Sequence, residues 1–332
     1  MDNLRRFLLV FIAVIFVTLS VCGIVLANSY QKMAKTEERN LTAAAPTFNP
    51  ADPENGNSGN LKENILFLIG DKDGTETELL LLANVDSENA SIHFLYIPKD
   101  LKYAISSDSS VGNMGSLLAK KNAASSVADI IASFFEISVN YYVQMPCEVF
   151  AEFVNAFDRD SSGIDYTIPV DLKYVSGKYS IDLKKDTNKL GGREAMQLIQ
   201  FYRTENNEYS AELMAYYDGS DVRRIQTAQS LLHAFLSQKV IKTGDESYAQ
   251  TFTDTALPFL AKCDTNVTEA ILKQIGEIFS KTNANGIKYY RFNGTEQYLE
   301  KYYLVYNQMC TDLTSNAVQE SSIVCKEYFK TN

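Results

Sequence analysis

Tryptophan is absent from this 332-residue chain, histidine occurs only twice, and positive charge is in deficit. His93 and His233 both lie inside apolar patterns, where a packed core or surface histidine is the ordinary outcome. No Ser/His/Asp or Cys/His arrangement is suggested by spacing, so covalent hydrolysis has little support. The five cysteines include no Cys-x-x-Cys pair and no Cys/His metal spacing, which argues against a thiolate metal centre. With 31 Lys and Arg against 41 Asp and Glu, the net charge is -10. General nucleic-acid binding needs a basic face to neutralise phosphates, and the chain has no zinc finger, basic helix or aromatic RNA-binding signature. Nucleic acid is therefore not an expected partner.

What is present is ordinary for a folded protein: 45% hydrophobic residues and 22% charged, enough for a sizeable core. Tyrosine and phenylalanine number 20 and 18, with clusters at Tyr141-Tyr142 and Tyr302-Tyr303 that suit strand-core packing or stacking on sugars. Cys22 falls in an apolar N-terminal segment, leaving Cys147, Cys263, Cys310 and Cys325. Cys310 and Cys325 are the nearest pair in sequence and would be the disulfide candidates outside the membrane; reduced, partly buried thiols are the alternative.

Residues 1–6 read as a short cytoplasmic N-terminus and Phe7–Ala27 as a transmembrane helix. The run is uncharged and, at about 1.5 Å per residue, long enough for a hydrocarbon core of about 30 Å. Arg5 and Arg6 before it favour a cytoplasmic start, which places the bulk of the chain outside the cell membrane. A cleaved signal peptide is the rival, but the apolar run exceeds the usual core of about 7 to 15 residues. Residues 28–62, rich in Asn, Thr, Ala, Pro and Gly, read as an extracytoplasmic linker.

A folded domain is expected over 63–310, with 311–332 as a C-terminal extension. Three short apolar runs, Ile65–Ile69, Leu79–Val85 and Ile92–Ile97, read as buried strands. A polar loop is expected over 106–113. Helices are expected over 115–135, 147–157, 189–203, 221–239, 248–261, 267–281 and 317–329, with further strands over 141–145, 164–170 and 287–292. Strands interleaved with helices make the fold α/β, an α-β-α sandwich with a central mixed sheet. Asp71, Asp73, Glu76 and Glu78 fill the loop between the first two strands, and Lys99 and Asp100 follow the third just after Pro98. Acids and a base can thus meet at one sheet edge.

Four stretches, in this order, resemble the LytR-CpsA-Psr family of membrane-anchored extracytoplasmic proteins. The first is Ile65-Leu66-Phe67-Leu68-Ile69-Gly70 before an Asp-containing loop, and the second is Thr77-Glu78 before an apolar strand. The third is Ile97-Pro98-Lys99-Asp100, close to the family's Ile-Pro-Arg-Asp. The fourth pairs Leu190-Gly191-Gly192-Arg193-Glu194-Ala195-Met196 with Asp221-Val222-Arg223-Arg224-Ile225-Gln226. The resemblance implies transfer of a polyprenyl-pyrophosphate-linked glycopolymer, such as teichoic acid or capsular polysaccharide, onto peptidoglycan with Mg2+. Such a reaction needs cations for the pyrophosphate, carboxylates for the metal and an apolar groove for the lipid.

Carried over by position, the resemblance implies Asp100 as the catalytic carboxylate, Lys99, Arg224, Arg203 and Gln229 as phosphate contacts, and Asp71, Asp73, Glu78 and Asp221 as metal ligands. Structural roles stand beside each: an ion pair for Asp100, loop formation for Asp71 and Asp73, and helix capping by Asp221 with Arg224 as its partner. The chain departs from the family where Glu76 replaces an arginine, Lys99 replaces another, and Gln200 and Tyr202 replace an Arg-x-Arg pair. Lysine contacts phosphate as a point charge without the bidentate fork of arginine. A non-catalytic lipid- or glycan-binding protein on the same fold is the alternative reading.

Overall fold

The computed structural model describes residues 61–71, 73–105, 110–120, 122–176, 179–202, 210–299 and 301–331. All of these but Ile105 belong to one unit. The expected membrane span and nearly all of the linker lie outside the described residues. Among the described residues, no helix is long and apolar enough to cross a membrane.

β1 (Lys62–Gly70), β2 (Thr77–Asp86) and β3 (Ser91–Ile97) form where the three apolar runs predict them, as antiparallel neighbours. β2 is buried along its whole length. That explains its continuous apolar run, since a strand covered on both faces has no solvent side to alternate with. A hairpin of β4 (Lys102–Ile105) and β5 (Ser110–Asn113) occupies part of the expected polar loop. The helix expected over 115–135 divides into a 3-10 segment, Met114–Ala119, and α1 (Ala123–Phe135). Asn122, with φ 65°, makes the break, a left-handed conformation that asparagine tolerates better than most residues.

β6 (Tyr141–Pro146) and α2 (Cys147–Phe157) follow as predicted. The strand expected over 164–170 is reduced to β7 (Ile164–Asp165), and an unpredicted hairpin, β8 (Leu172–Ser176) with β9 (Tyr179–Leu183), comes after it. β10 (Lys189–Leu190) precedes α3 (Gly192–Gln200), α4 (Ala211–Met214) and α5 (Asp221–Phe235), which runs on into a π turn over Leu236–Val240. α6 (Tyr248–Leu260), β11 (Asp264–Thr265) and α7 (Glu269–Lys281) lead to a long hairpin, β12 (Ile287–Leu299) and β13 (Lys301–Asp312). The chain closes with β14 (Val318–Glu320) and α8 (Ser321–Tyr328).

Eight strands join in the order β11-β6-β1-β2-β3-β12-β13-β14. The sheet is mixed: β1 with β6 and β3 with β12 are parallel, the other pairs antiparallel. On one face Ile65, Leu81, Phe94 and Tyr289 join side chains of α2, α3, α5, α6 and α7 in one apolar core. Successive side chains point to opposite faces of a strand, so Phe292 turns the other way and stacks on Phe135 of α1 at 3.7 Å between ring centroids. Helices thus cover both faces of the mixed sheet.

Asn64 and Asn84 pair in register across β1 and β2 and are almost wholly buried. Asn84 Nδ2 donates to Asn64 Oδ1 at 2.9 Å, while Asn64 Nδ2 donates to the Phe329 carbonyl at 2.6 Å. A buried amide left without a partner is costly, so this chain of hydrogen bonds ties residues near the C-terminus to the first strand. The four described cysteines are free thiols. Of the two alternatives for Cys310 and Cys325, the reduced one is present.

Candidate functional site

A polar cavity of about 290 Å³ lies where β2 begins and β3 ends, with Thr77, Lys99, Asp100, Tyr179, Gln200 and Tyr202 in its wall. The acids and the base expected at one sheet edge do meet here. Lys99 is held by its backbone: its N–H donates to Asp221 Oδ2 at 2.5 Å. Its ammonium lies 3.8 Å from Glu78 Oε2 and 4.4 Å from the centroid of the Tyr202 ring. The first is an opposite-charge contact and the second a cation over a ring face. Among the described residues, Lys99 is the one Lys or Arg in the cavity wall.

Glu78 is 1% exposed. Tyr179 donates its hydroxyl to Glu78 Oε1 at 2.6 Å, and Oε2 has no hydrogen-bond partner among the described residues. Burial and the Glu78 carboxylate push the Tyr179 phenol well up, so it remains a donor. Tyr202 donates to Asp100 Oδ2. The Asp100 carboxyl is raised above the usual range, first by burial and then by the Asp221 carboxylate, against smaller opposing effects of Tyr202, Lys99 and Arg224. A carboxylate raised in this way is a better proton acceptor near neutrality than an ordinary aspartate.

Arg224 is the largest fully buried side chain. Its Nε donates to Asp221 Oδ1 at 2.6 Å, and its Nη1 donates to the carbonyls of Glu78 and, at 3.1 Å, Ile199. The guanidinium fastens α5 to β2 and α3 and stays out of the cavity wall. Asp221 has both oxygens engaged, and it is the first residue of α5 rather than its cap. Ser220 caps the helix, its Oγ accepting from Arg223 N–H at 3.3 Å. Asp71 organises the β1–β2 connection: Oδ1 accepts from the N–H groups of Thr75 at 2.7 Å and Glu76 at 3.2 Å, and Oδ2 from Thr75 Oγ1 at 2.8 Å. Asp73 is exposed in that loop, next to Gly74, whose φ of 66° the turn requires. Gln229 is half-buried on α5 and absent from the cavity wall, and Arg203 lies outside the described residues.

Of the predicted site residues, Lys99 and Asp100 line the cavity; Glu78, Asp221 and Arg224 contact Lys99 or one another outside its wall, and Asp71, Asp73 and Gln229 are also absent from the wall. Among the described residues, no group of three or more His, Cys, Asp or Glu side chains could hold a metal ion. Of the carboxylates, those of Glu76 and Asp100 line the cavity, while Glu78 lies outside its wall with Oε2 3.8 Å from the Lys99 ammonium.

A second cavity, of about 190 Å³, is lined by apolar side chains of β1, β2 and β3 and of the helices packed on that face. Leu79 and Ile199 line it, while Thr77 and Gln200 line the polar cavity. The two cavities consequently adjoin along β2 and α3, one charged and one greasy. Sequence reading missed Tyr179 altogether and took Tyr202 only as a missing arginine. The signal for Tyr179 was available in the sequence, where a Ser-Gly dipeptide stands between two short alternating runs. No such signal marks the acceptor of a given tyrosine hydroxyl.

The fold is similar to several solved structures. The crystal structure of B. subtilis TagV shares 20% identity over 81% of this chain and 98% of that one, with a TM-score of 0.59. The LytR-Csp2A-Psr enzyme from Actinomyces oris shares 14% identity over 87% of this chain and 93% of that one, with a TM-score of 0.57. TagT bound to LIIa-WTA shares 17% identity over 80% and 91%, with a TM-score of 0.51. No curated protein matches the chain. The model of the LytR-CpsA-Psr family matches residues 23–320, nine-tenths of the sequence and every strand and helix that forms the two cavities, and the chain belongs to that family.

Proposed function

We propose that this protein is a membrane-anchored extracytoplasmic phosphotransferase that moves a glycopolymer from a polyprenyl-pyrophosphate carrier onto peptidoglycan. The observation that carries the reading is the pair of adjoining cavities. An amphipathic carrier needs an apolar site for its lipid and a charged one for its head, and β2 and α3 offer both within one or two residues. TagT, whose fold is similar, binds LIIa-WTA.

In this reading Lys99 faces the pyrophosphate and neutralises charge that builds on its oxygens. Asp100, oriented by Tyr202, accepts the proton of the attacking wall hydroxyl. The hydroxyl oxygen forms a bond to the phosphorus that bears the glycan, the bond from that phosphorus to the bridging oxygen breaks, and polyprenyl phosphate departs. Magnesium, where it takes part, would be held by Asp100 together with substrate oxygens, since this ion commonly uses one or two carboxylates and keeps the rest of its shell for phosphates and water. Its contribution is to neutralise phosphoryl charge. Asp71 and Asp221, whose oxygens are engaged within the protein, shape the site around it.

A second reading rests on one observation: the cavity wall has a single described cation, and that cation already faces Glu78. A protein that holds the carrier without turning it over fits this as well. The full-length chain in detergent, given a polyprenyl-pyrophosphate sugar, a peptidoglycan acceptor and magnesium, is expected to release polyprenyl phosphate. Lys99→Ala should reduce that rate by about two orders of magnitude, as loss of a transition-state charge contact does elsewhere. Carrier bound without release by the unsubstituted chain establishes the binding protein instead.

A further inference from the structure

The polar cavity is short of cations, yet an arginine that sequence reading passed over lies at the same end of the sheet. Arg291 is on β12, in register with Tyr96 of the parallel neighbour β3 and Thr311 of β13. It is 8% exposed. Its Nη2 donates to Asn293 Oδ1 at 2.9 Å, and that oxygen also accepts from Thr311 Oγ1 at 2.9 Å. Asn293 is two residues further along β12, at the level of Pro98 when the β3 register is continued. The bond to Asn293 thus directs the guanidinium toward the end of the sheet at which β3 gives way to Pro98 and Lys99.

Two of its three nitrogens, Nε and Nη1, are buried and find no hydrogen-bond partner among the described residues. The neighbouring Tyr96 hydroxyl is in the same state. Orphaned buried donors are rare because each forfeits its hydration without return, and a charged donor forfeits most. Asp221 is close enough to oppose the downward effect of burial on Arg291. It makes no hydrogen bond to those two nitrogens, and its oxygens accept instead from Arg224 and from the Lys99 backbone. What these donors lack is an oxygen-rich anion from outside the chain.

We propose that Arg291 is a phosphate-contacting residue of the site, the cation that stands in for the arginines missing at Glu76, Gln200 and Tyr202. The inference rests on the phosphoryl-binding reading of the cavity and adds to it a residue of the neighbouring strand, outside the cavity wall. Arginine suits the place because its guanidinium keeps its charge when buried and offers several donors to phosphoryl oxygens. Lys99 and Arg291 then approach the anion from β3 and β12, two strands whose parallel pairing sets their separation.

The test is calorimetric binding of inorganic pyrophosphate and of farnesyl pyrophosphate to the full-length chain, beside Arg291→Gln, Arg291→Lys and Lys99→Ala. Arg291→Gln is expected to raise Kd at least about tenfold for both ligands and to flatten the salt dependence of binding, because one charge contact is gone. Arg291→Lys should weaken binding several-fold, since the charge remains without the fork. Loss of stability in urea without a change in Kd or salt dependence marks a purely structural arginine and overturns the proposal. So does binding by both Arg291 variants within twofold of the original while Lys99→Ala loses it, a result that leaves the phosphoryl reading standing. If neither ligand binds the unsubstituted chain, both the proposal and that reading fall. Should Arg291→Gln not fold, Arg291→Lys decides alone: a several-fold loss supports the assignment and an unchanged Kd removes it.

Discussion

At the scale of single residues, the same side-chain type does different work according to what its neighbours leave free. Arg224 and Arg291 are both buried, but Arg224 has acceptors from β2, α3 and its own helix, whereas two Arg291 nitrogens have none. Lys99 lies between: its backbone is fixed by Asp221 while its ammonium still faces the cavity. His93 shows how burial becomes pH dependence. Half-buried on β3 and 4.6 Å from the ring of Tyr328, it has its pKa pushed down to about 4, chiefly by burial. The folded state therefore prefers the neutral ring. Its contribution is complete above the ordinary histidine pKa of about 6.5 and is lost as the pH falls toward 4, with a ceiling of about 3 kcal/mol. His93→Gln should flatten the stability curve between pH 7 and pH 4, as read by urea denaturation. An unchanged slope would place the acid sensitivity elsewhere.

At the scale of elements, the motif Leu190-Gly191-Gly192-Arg193-Glu194-Ala195-Met196 proves to be about packing. Gly192 opens α3 against α2, where its N–H donates to Asn155 Oδ1 at 2.7 Å and a Cβ would come within 1.9 Å of the Ala151 carbonyl oxygen. That contact is with backbone, which cannot swing aside. Gly192→Ala is expected to destabilise the protein by about 2 kcal/mol or more despite alanine's better helix propensity, measured as a lower urea midpoint at unchanged slope. α3 would have to move, and with it Ile199 and Gln200, one in each cavity. Long periodic segments such as α2, α5 and α7 were legible in the sequence because one face of each is apolar at helical spacing. The start of β12 was read as a strand over 287–292, but its continuation to Leu299, its partner β13 and the short hairpin β8–β9 were not. These segments are rich in tyrosine and polar residues, so pairing with the neighbouring strand rather than a strong apolar run carries the structure.

At the scale of the whole molecule, the C-terminal residues belong to the sheet that builds the site. Phe329 is fully buried, and its carbonyl accepts from Asn64 on the first strand. Phe329→Ala should cost about 3 to 5 kcal/mol, the usual range for emptying a buried aromatic site, and is read from the full chain in urea. A loss below about 1 kcal/mol would show that the C-terminal helix is not part of the cooperative unit. Strands β1 to β3, the helical faces, the net acidic charge, the family likeness and the meeting of Lys99 with acidic residues at one sheet edge were legible in the sequence. Those follow from local periodicity, composition and motif order, which neighbouring residues fix among themselves. The tertiary structure alone decided that Arg224 is a fastening, that Tyr179 and Tyr202 hold the two carboxylates, that an apolar cavity adjoins the polar one, and that two Arg291 nitrogens are buried without a partner. Each depends on which donors and acceptors meet from elements far apart in the chain, and no local pattern encodes whether a buried donor will find its partner.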